Sequence, residues 1–225
     1  MTTKTESNFY KSELLITVAR DLIRTSGDFE LSMRELAARA QVSLRTPYLI
    51  FGSKPGLISA ILRADQAVYR EKLRALPRGD AFHDLFKSLA AGVAFYAESQ
   101  PFYRALFRET HAYPEKGETE PARENPDRFV RTCRRAINEG LVRPGVDPCV
   151  LAETLLDIFA ANVRTWAASN YDVQFVEPRV GFGWCAVLAG VAVESHAERM
   201  RRKMQDFQAT LEDFAAPRRE VLAGD

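Results

Sequence analysis

A group of basic and hydroxyl-bearing side chains lies between residues 32 and 54, and its chemistry suits a polyanion. An arginine can donate two parallel hydrogen bonds to guanine or to a phosphate, and a threonine offers a hydroxyl and a methyl group. Tyrosine and lysine can bond phosphates and fix the register of a protein on a duplex. We therefore predict a nucleic-acid contact if the fold exposes these side chains together. The residues are Ser32, Arg34, Arg45, Thr46, Tyr48 and Lys54.

Three short helices are predicted to position this group. Apolar residues recur at helical spacing in "SELLITVARDLIRTSG", which Gly27 can close. Ser32 and Glu35 form an S-x-x-E capping box that begins the second helix, whose first amides can bind an anion. After the turn "QVS", the third helix runs through "LRTPYLIF", and Gly52 can end it.

The second and third helices are only about four residues apart, which is the spacing of a helix-turn-helix. Such a pair buries little surface by itself, so the first helix must complete a small core. The inner face of the third helix is predicted to include Leu44 and Phe51. The alternative is a three-helix corner that binds no ligand. The predicted core residues are Leu14, Val18, Leu22, Leu36, Ala40, Val42 and Phe51.

Pro47 lies within this third helix, where a proline is tolerated only in the first turn. A start at Ser43 or Leu44 leaves Pro47 at the edge of that tolerance. If Thr46 caps the helix instead, Pro47 occupies the preferred first position. We favour the earlier start, with a slightly distorted first turn that the proline stiffens.

The stretch "ELSMRELAARAQVSLRTPYLIFGSKPGLISAIL" resembles the N-terminal domain of the TetR family of bacterial transcriptional repressors. The likeness covers about residues 10–62. It implies phosphate contacts from Ser32, Tyr48 and Lys54, and base contacts from Arg34, Arg45 and Thr46. Gln41 stands where the family turn has glycine, so this residue is expected to need a positive φ.

Beyond residue 53 the chain continues as helix after helix. We predict a long helix from Ser53, then helices at 81–98, 101–111, 126–139, 148–169 and 178–214, with a polar loop at 113–125. The fold class is therefore all-α. Residues 9–55 are predicted to form the helix-turn-helix DNA-binding domain. A long helix joins it to a bundle, residues 56–215, for ligand binding and dimerisation.

Aromatic residues recur along one stripe of several bundle helices, which either makes a plain core or lines a ligand pocket. A pocket needs polar groups inside the aromatic wall. Asn162 is the best candidate for such a group. The resemblance implies an effector pocket here, and the aromatic residues suggest a flat or apolar molecule. The predicted lining is Phe86, Val93, Tyr96, Phe102, Phe107, Phe129, Cys133, Phe159, Asn162 and Trp166.

The segment "VGFGWCAVLAGVAVESHAERM" is rich in glycine and alanine, which let helices approach closely. With the helix at 148–169, it is predicted to form a four-helix interface around a two-fold axis. Packing within one chain is the alternative. The predicted interface residues are Trp184, Val187, Leu188 and Val191.

Composition and the absence of certain motifs narrow the classes of protein to which this chain could belong. The 225 residues carry a net charge of +1, and the excess of Lys and Arg in residues 1–63 is too mild to imply nucleic acid. No apolar run or leader suggests a membrane or secretion, and three scattered cysteines favour the cytoplasm. No metal, phosphate-loop or nucleophile motif is present, so we expect no cofactor.

These observations predict a homodimeric transcriptional regulator, a repressor that binds a near-palindromic operator and is released by a small apolar or aromatic effector. The alternative is an enzyme that holds a cofactor or substrate in its helical bundle. An architectural DNA binder without an effector is disfavoured by the size of the second region.

Overall fold

The computed structural model describes residues 4–26, 32–112 and 126–222. The described chain is helical, with one isolated antiparallel bridge between Val142 and Ala192 and no β-strand. This confirms the predicted all-α class. The predicted closing residue Gly27 and the predicted loop at 113–125 lie outside the described residues. The helices are α1 (Lys4–Ser26), α2 (Met33–Arg39), α3 (Arg45–Phe51), α4 (Lys54–Arg74), α5 (Ala81–Ala97), α6 (Gln100–Ala112), α7 (Pro126–Asn138), α8 (Pro148–Ala168), α9 (Val176–Val191) and α10 (Glu194–Leu222), with a 3₁₀ turn at Val173–Phe175.

The chain packs as two compact units. The first comprises Met1–Arg74 with Glu98–Pro121, and the second comprises Ala75–Ala97 with Ala122–Asp225. Helices α4 and α6 therefore pack in the same unit as α1 to α3. This division by packing differs from the boundary expected after residue 55, because the whole of α4 stays with the N-terminal helices. The functional assignment of 9–55 and 56–215 remains a prediction.

The core of the first unit forms where α1 to α4 and α6 meet. The face that α1 buries differs in part from the predicted one: Leu22 is buried as predicted, but Leu14 is 45% exposed, whereas Leu15, Ala19 and Ile23 are fully buried. Two adjacent apolar positions at helical spacing fit either face, so neighbouring helices decide which one is covered. Leu36 is buried as predicted.

A buried polar cluster joins three helices of this unit. Asp65 of α4 is only 5% exposed, and its carboxylate pairs with the guanidinium of Arg20 from α1. The hydroxyl of Tyr103, from α6, donates to the same carboxylate at 3.0 Å. Burial raises the pKa of Asp65, and the two partners offset part of that rise. The cluster satisfies a buried charge and thereby fixes α1, α4 and α6 against each other.

The second unit is built on aromatic residues. Trp166 and Trp184 are almost completely buried, and the indole N–H of Trp184 donates to the carbonyl of Leu155 at 2.7 Å. Phe86 and Phe129 both lie against Trp184, with ring centroids 6.1 Å and 5.8 Å away. Apolar burial and satisfied indole hydrogen bonding together hold α5, α7, α8 and α9 in place.

The start of α5 is held by charged partners. Asp80 accepts from the His83 backbone N–H at 2.7 Å and pairs with Arg199 of α10 at 2.7 Å. Asp84 pairs with Arg135 of α7 at 2.8 Å. Because these partners come from two other helices, they set the position of α5 within the unit.

The last helix differs from its prediction. Residues 178–214 were expected to form one helix, but the chain breaks between α9 and α10 at Ala192 and Val193. Arg143 N–H donates to the Val191 carbonyl at 2.9 Å, and Val193 N–H donates to the Leu141 carbonyl at 3.1 Å. These tertiary hydrogen bonds replace helical ones, and the prediction passed over Gly190, which lies two residues before the break. Among the described helices, none combines the length and apolarity that crossing a membrane requires.

Candidate nucleic-acid interface

The first predicted contact residues lie at the start of α2. Ser32 adopts an extended conformation, and its hydroxyl accepts from the Glu35 backbone N–H at 3.0 Å, as the capping box predicts. Arg34 follows as the second residue of α2 and is exposed. Met33, Leu36 and Ala37 face inward. The buried face of α2 therefore directs Arg34 toward solvent.

The turn between α2 and α3 is closed by backbone hydrogen bonds. Val42 N–H donates to the Ala37 carbonyl at 3.0 Å, and Gln41 N–H donates to the Ala38 carbonyl at 3.1 Å. Gln41 has a φ of 54°, and no other non-glycine residue in the described chain has a positive φ. The expectation from the missing glycine is confirmed. The tight turn demands a left-handed residue, and glutamine adopts that conformation at a cost.

Helix α3 begins at Arg45, with Leu44 as its cap. Pro47 is its third residue, so it lies in the first turn where its missing N–H leaves no helical bond unmade. The Ser43 carbonyl instead accepts from Thr46 N–H at 2.9 Å. The observed start lies one residue after Leu44, the later of the two start positions that we favoured. The alternative, with Thr46 as the cap and Pro47 as the first helical residue, is wrong. Pro47 is also buried, so its ring packs inward as well as stiffening the turn.

Burial of Pro47 turns the other side of α3 to solvent. Arg45 is exposed, Tyr48 is 49% exposed, and Thr46 is partly exposed, with its hydroxyl 2.9 Å from that of Ser43. Arg34 and Arg45 make no ion pair within the described residues. Two basic and two hydroxyl-bearing side chains on adjacent short helices are thus available to an external anion.

Leu44 was assigned wrongly to the inner face of α3. It is 46% exposed, and Leu49 on the same helix is 70% exposed. Leu49 lies about 200° around the helix from the buried Pro47, which accounts for its exposure, whereas Leu44 precedes the helix as its cap residue. The sequence did not predict the exposure of Leu49, because that exposure depends on which side of α3 the neighbouring helices bury.

Lys54 is the first residue of α4, directly after the α3–α4 turn, and is partly buried. Gly52 ends α3 with a φ of 74°, and its N–H donates to the Tyr48 carbonyl at 2.9 Å. Two residues after Lys54, a Cβ on Gly56 would lie 1.9 Å from the Phe51 carbonyl oxygen. This close approach sets the position of α4 against the end of α3 and hence of Lys54.

The predicted pocket residues are divided between the two units. Phe102 and Phe107 belong to the first unit, where each ring contacts that of Tyr103. The other eight lie in the second unit, where Cys133 and Trp166 are fully buried core residues. Tyr96 is half-buried, with its ring stacked on Trp166 at 6.4 Å and tilted against Phe159 at 6.5 Å. Spacing along single helices could not show this division.

Asn162 lies in a cleft of about 800 Å³ beside α8, α9 and α10. Its side-chain oxygen accepts from the Arg179 guanidinium at 3.0 Å, and its amide donates to the Ile158 carbonyl at 2.8 Å. The cleft is aromatic elsewhere, because Phe175 and Phe214 meet there at 4.2 Å. None of the other predicted pocket residues lines it.

Two of the four predicted interface residues are interior. Trp184 and Leu188 are 1% and 0% exposed within the chain, so they form core and offer no surface to a partner. Val187 and Val191 are half-buried. The close helix packing predicted from glycine occurs within the chain, since a Cβ on Gly181 would lie 2.4 Å from the Phe207 ring. The apolar stripe of a single helix does not show which of its residues pack inside their own chain and which stay at the surface.

No protein-family model matches the sequence, and no curated protein matches it. Solved structures do. A TetR-family transcriptional regulator from Pectobacterium atrosepticum is 24% identical with a TM-score of 0.67, covering 85% of this chain and 98% of that one. FadR from Thermus thermophilus, a TetR-family repressor in complex with lauroyl-CoA, is 20% identical with a TM-score of 0.67, covering 81% and 96%. SmeT, the repressor of the Stenotrophomonas maltophilia multidrug efflux pump SmeDEF, is 18% identical with a TM-score of 0.62, covering 81% and 91%.

The chain thus has the fold of the TetR-family transcriptional regulators, as the resemblance predicted. Each of these likenesses is below 25% sequence identity, so it establishes the fold alone. The assignment of individual contact residues depends on the geometry of α2, α3 and α4.

Proposed function

We propose that this protein is a transcriptional regulator that binds operator DNA through α2 and α3. The observation that carries the proposal is the exposure of Arg34, Arg45 and Tyr48 on a helix-turn-helix whose opposite face is buried. A recognition helix reads base edges mainly with its N-terminal residues, and Arg45 and Thr46 are the first two residues of α3. Tyr48, Lys54 and Ser32 supply phosphate contacts that fix register.

The regulator acts as a homodimer on a near-palindromic site. Two copies of α3 enter successive major grooves, about 34–36 Å apart. The dimer surface consists of the outward residues of α8 and α9, because the inward ones are core. Small side chains on that surface allow close helix approach. The proposed dimer surface contains Ile158, Ala161, Thr165, Gly183 and Ala186, with Val187 and Val191 beside them.

A small apolar or aromatic effector binds the second unit and lowers the affinity for DNA. The half-buried rings of Tyr96 and Phe159, beside buried Val93 and Trp166, support this class of ligand. A coupling free energy of about 1–3 kcal/mol gives roughly a 5- to 150-fold loss of DNA affinity. The effector must favour the state that does not bind DNA by that amount.

The test of DNA binding is titration of the full chain against duplexes selected from a random pool, at several salt concentrations. The wild type is expected to bind a two-fold symmetric sequence with affinity that falls as salt rises, because binding displaces counterions. Arg45→Ala is expected to cost about 1–3 kcal/mol and to relax base preference at one position of each half-site.

Arg134→Ala is the matched control, since Arg134 is an exposed arginine on α7 and carries the same charge. It should leave both affinity and base preference unchanged. Equal losses in the two variants would show a nonspecific charge effect. Failure of the wild type to select any duplex at low salt, with turnover of a substrate, would favour the enzyme alternative.

A further inference from the structure

The exposed apolar surface of α3 is not explained by the polar contacts assigned above. Leu49 is 70% exposed, the largest exposure among the big apolar side chains of the described residues. An exposed leucine gains nothing from the fold of its own chain. On a helix of seven residues, it occupies a substantial part of the outward surface.

Helical geometry relates Leu49 to the polar contacts. With 3.6 residues per turn, Leu49 points about 200° away from Pro47, which is buried. Arg45 is four residues earlier and therefore lies on the same face, one turn away. Any surface that receives Arg45 also meets Leu49, about 6 Å farther along the helix axis.

The neighbours of Leu49 indicate what that surface is. A partner helix needs a continuous apolar stripe, but the exposed side chains of Arg45 and Tyr48 interrupt one here. An exposed aliphatic group one turn from an arginine, beside a tyrosine hydroxyl, instead matches the major-groove edge of DNA. That edge presents donors and acceptors together with one apolar group, the 5-methyl group of thymine.

We propose that Leu49 contacts a thymine methyl group within one or two base pairs of the base that Arg45 contacts, and so determines part of the operator sequence. The inference rests on the proposed DNA-binding function and adds a specificity residue to it. Removing the methyl–leucine contact is expected to cost about three- to fivefold in affinity, the value of burying one methyl-sized group.

The experiment uses the full chain and a duplex that the wild type selects from a random pool. Each thymine of the half-site is replaced in turn by uracil, which removes the methyl group and keeps all hydrogen-bonding atoms. One position is expected to show the three- to fivefold loss with the wild type. The same replacement should have no effect with Leu49→Ala, because the variant no longer makes the contact.

Val68→Ala is the matched control, since Val68 is a half-exposed aliphatic residue on α4. It should respond to uracil as the wild type does. The inference is overturned if no thymine replacement weakens wild-type binding, if the loss persists in Leu49→Ala, or if the half-site contains no thymine. In those cases the duplex is still bound and the proposed function stands. Absence of any selected duplex overturns both.

Discussion

At the scale of single residues, Gln41 shows how a turn imposes a conformation that its sequence does not favour. Its φ of 54° lies in the left-handed region, which costs a non-glycine residue about 1–2 kcal/mol. Gln41→Gly removes that strain but increases the entropy of the unfolded chain. We expect the free energy of unfolding to rise by about 0.5–1 kcal/mol, measured by urea denaturation.

Gly52→Ala makes the reverse substitution, glycine to a residue with a side chain, and is expected to change the free energy of unfolding in the opposite direction. Gly52 has a φ of 74° and open space where a Cβ would lie, so strain alone acts there. Alanine should lower the free energy of unfolding by more than it gains from unfolded-state entropy. If both substitutions changed stability in the same direction, backbone strain would not be the cause.

The buried cluster in the first unit gives a second prediction at this scale. Tyr103→Phe removes the hydroxyl that donates to Asp65 and leaves one carboxylate oxygen poorly solvated. We expect a loss of about 1–2 kcal/mol in the free energy of unfolding. Tyr10→Phe is the control, because Tyr10 is exposed on α1, and it should change stability by less than about 0.5 kcal/mol. An equal effect of both would exclude the cluster as the source.

At the scale of secondary-structure elements, the contact between α3 and α4 depends on a missing side chain. The Cβ of Gly56→Ala would lie 1.9 Å from the Phe51 carbonyl oxygen, so α3 and α4 must move apart. Such overpacking costs about 1–3 kcal/mol, and we expect weaker DNA binding as well because Lys54 and α3 shift. Denaturation and DNA titration measure the two effects.

Gly190→Ala is the matched control for this substitution. Gly190 is in α9, and a Cβ there meets no atom within 4 Å. Alanine should therefore stabilise the protein slightly through helix propensity and leave DNA affinity unchanged. A stable Gly56→Ala variant with full DNA affinity would contradict the role of the α3–α4 contact.

The start of α5 predicts a pH dependence. Burial acts to raise the pKa of Asp80 and Asp84, but hydrogen bonds from Arg199 and His83 N–H, and from Gly79 N–H and Arg135, outweigh it and lower both values below 3.8. A lowered pKa in the folded state contributes stability above the unfolded value. That contribution is lost as pH falls below 3.8 through the folded values.

We expect the double substitution Asp80→Asn with Asp84→Asn to lower stability by a constant amount between about pH 5 and 7. The difference from wild type should shrink as pH falls below 3.8, because the wild-type carboxylates then become protonated. Thermal unfolding across this range measures it. If the difference stays the same down to about pH 2.5, roughly one unit below 3.8, ionisation of these two carboxylates is not its source.

At the scale of the whole molecule, DNA binding by two copies of α3 requires a dimer. Ala186 is exposed within the chain, so Ala186→Arg should leave the folded monomer intact while placing a charge in the proposed interface. We expect a monomer by light scattering, and an operator affinity reduced at least tenfold since the two half-sites are no longer bound together. Ala94→Arg, an exposed position on α5, is the control.

A dimeric Ala186→Arg variant with normal affinity would place the interface elsewhere. A monomeric variant with normal affinity would show that one helix-turn-helix suffices. Both outcomes leave the residue-scale contacts of Arg45 open to their own test.

The sequence by itself determined the helical class, the helix-turn-helix and the positive φ of Gln41. The first two depend on local signals, apolar spacing at 3.6 residues and the Ser32 cap, and the third came from the resemblance, because Gln41 stands where the family turn has glycine. Local signals also placed Arg45 and Thr46 at the start of α3 to within one residue. These features survive in any tertiary arrangement because they arise from neighbouring residues.

The tertiary structure alone decided which side of each helix is covered. It buried Leu15 instead of Leu14, turned Leu49 outward by burying Pro47, and ended α9 at Val191 through hydrogen bonds to the segment around Val142. A helical stripe wide enough for two faces leaves this choice to the partner helices. Surface and core are properties of contacts between distant residues, and those contacts exist only once the chain has folded.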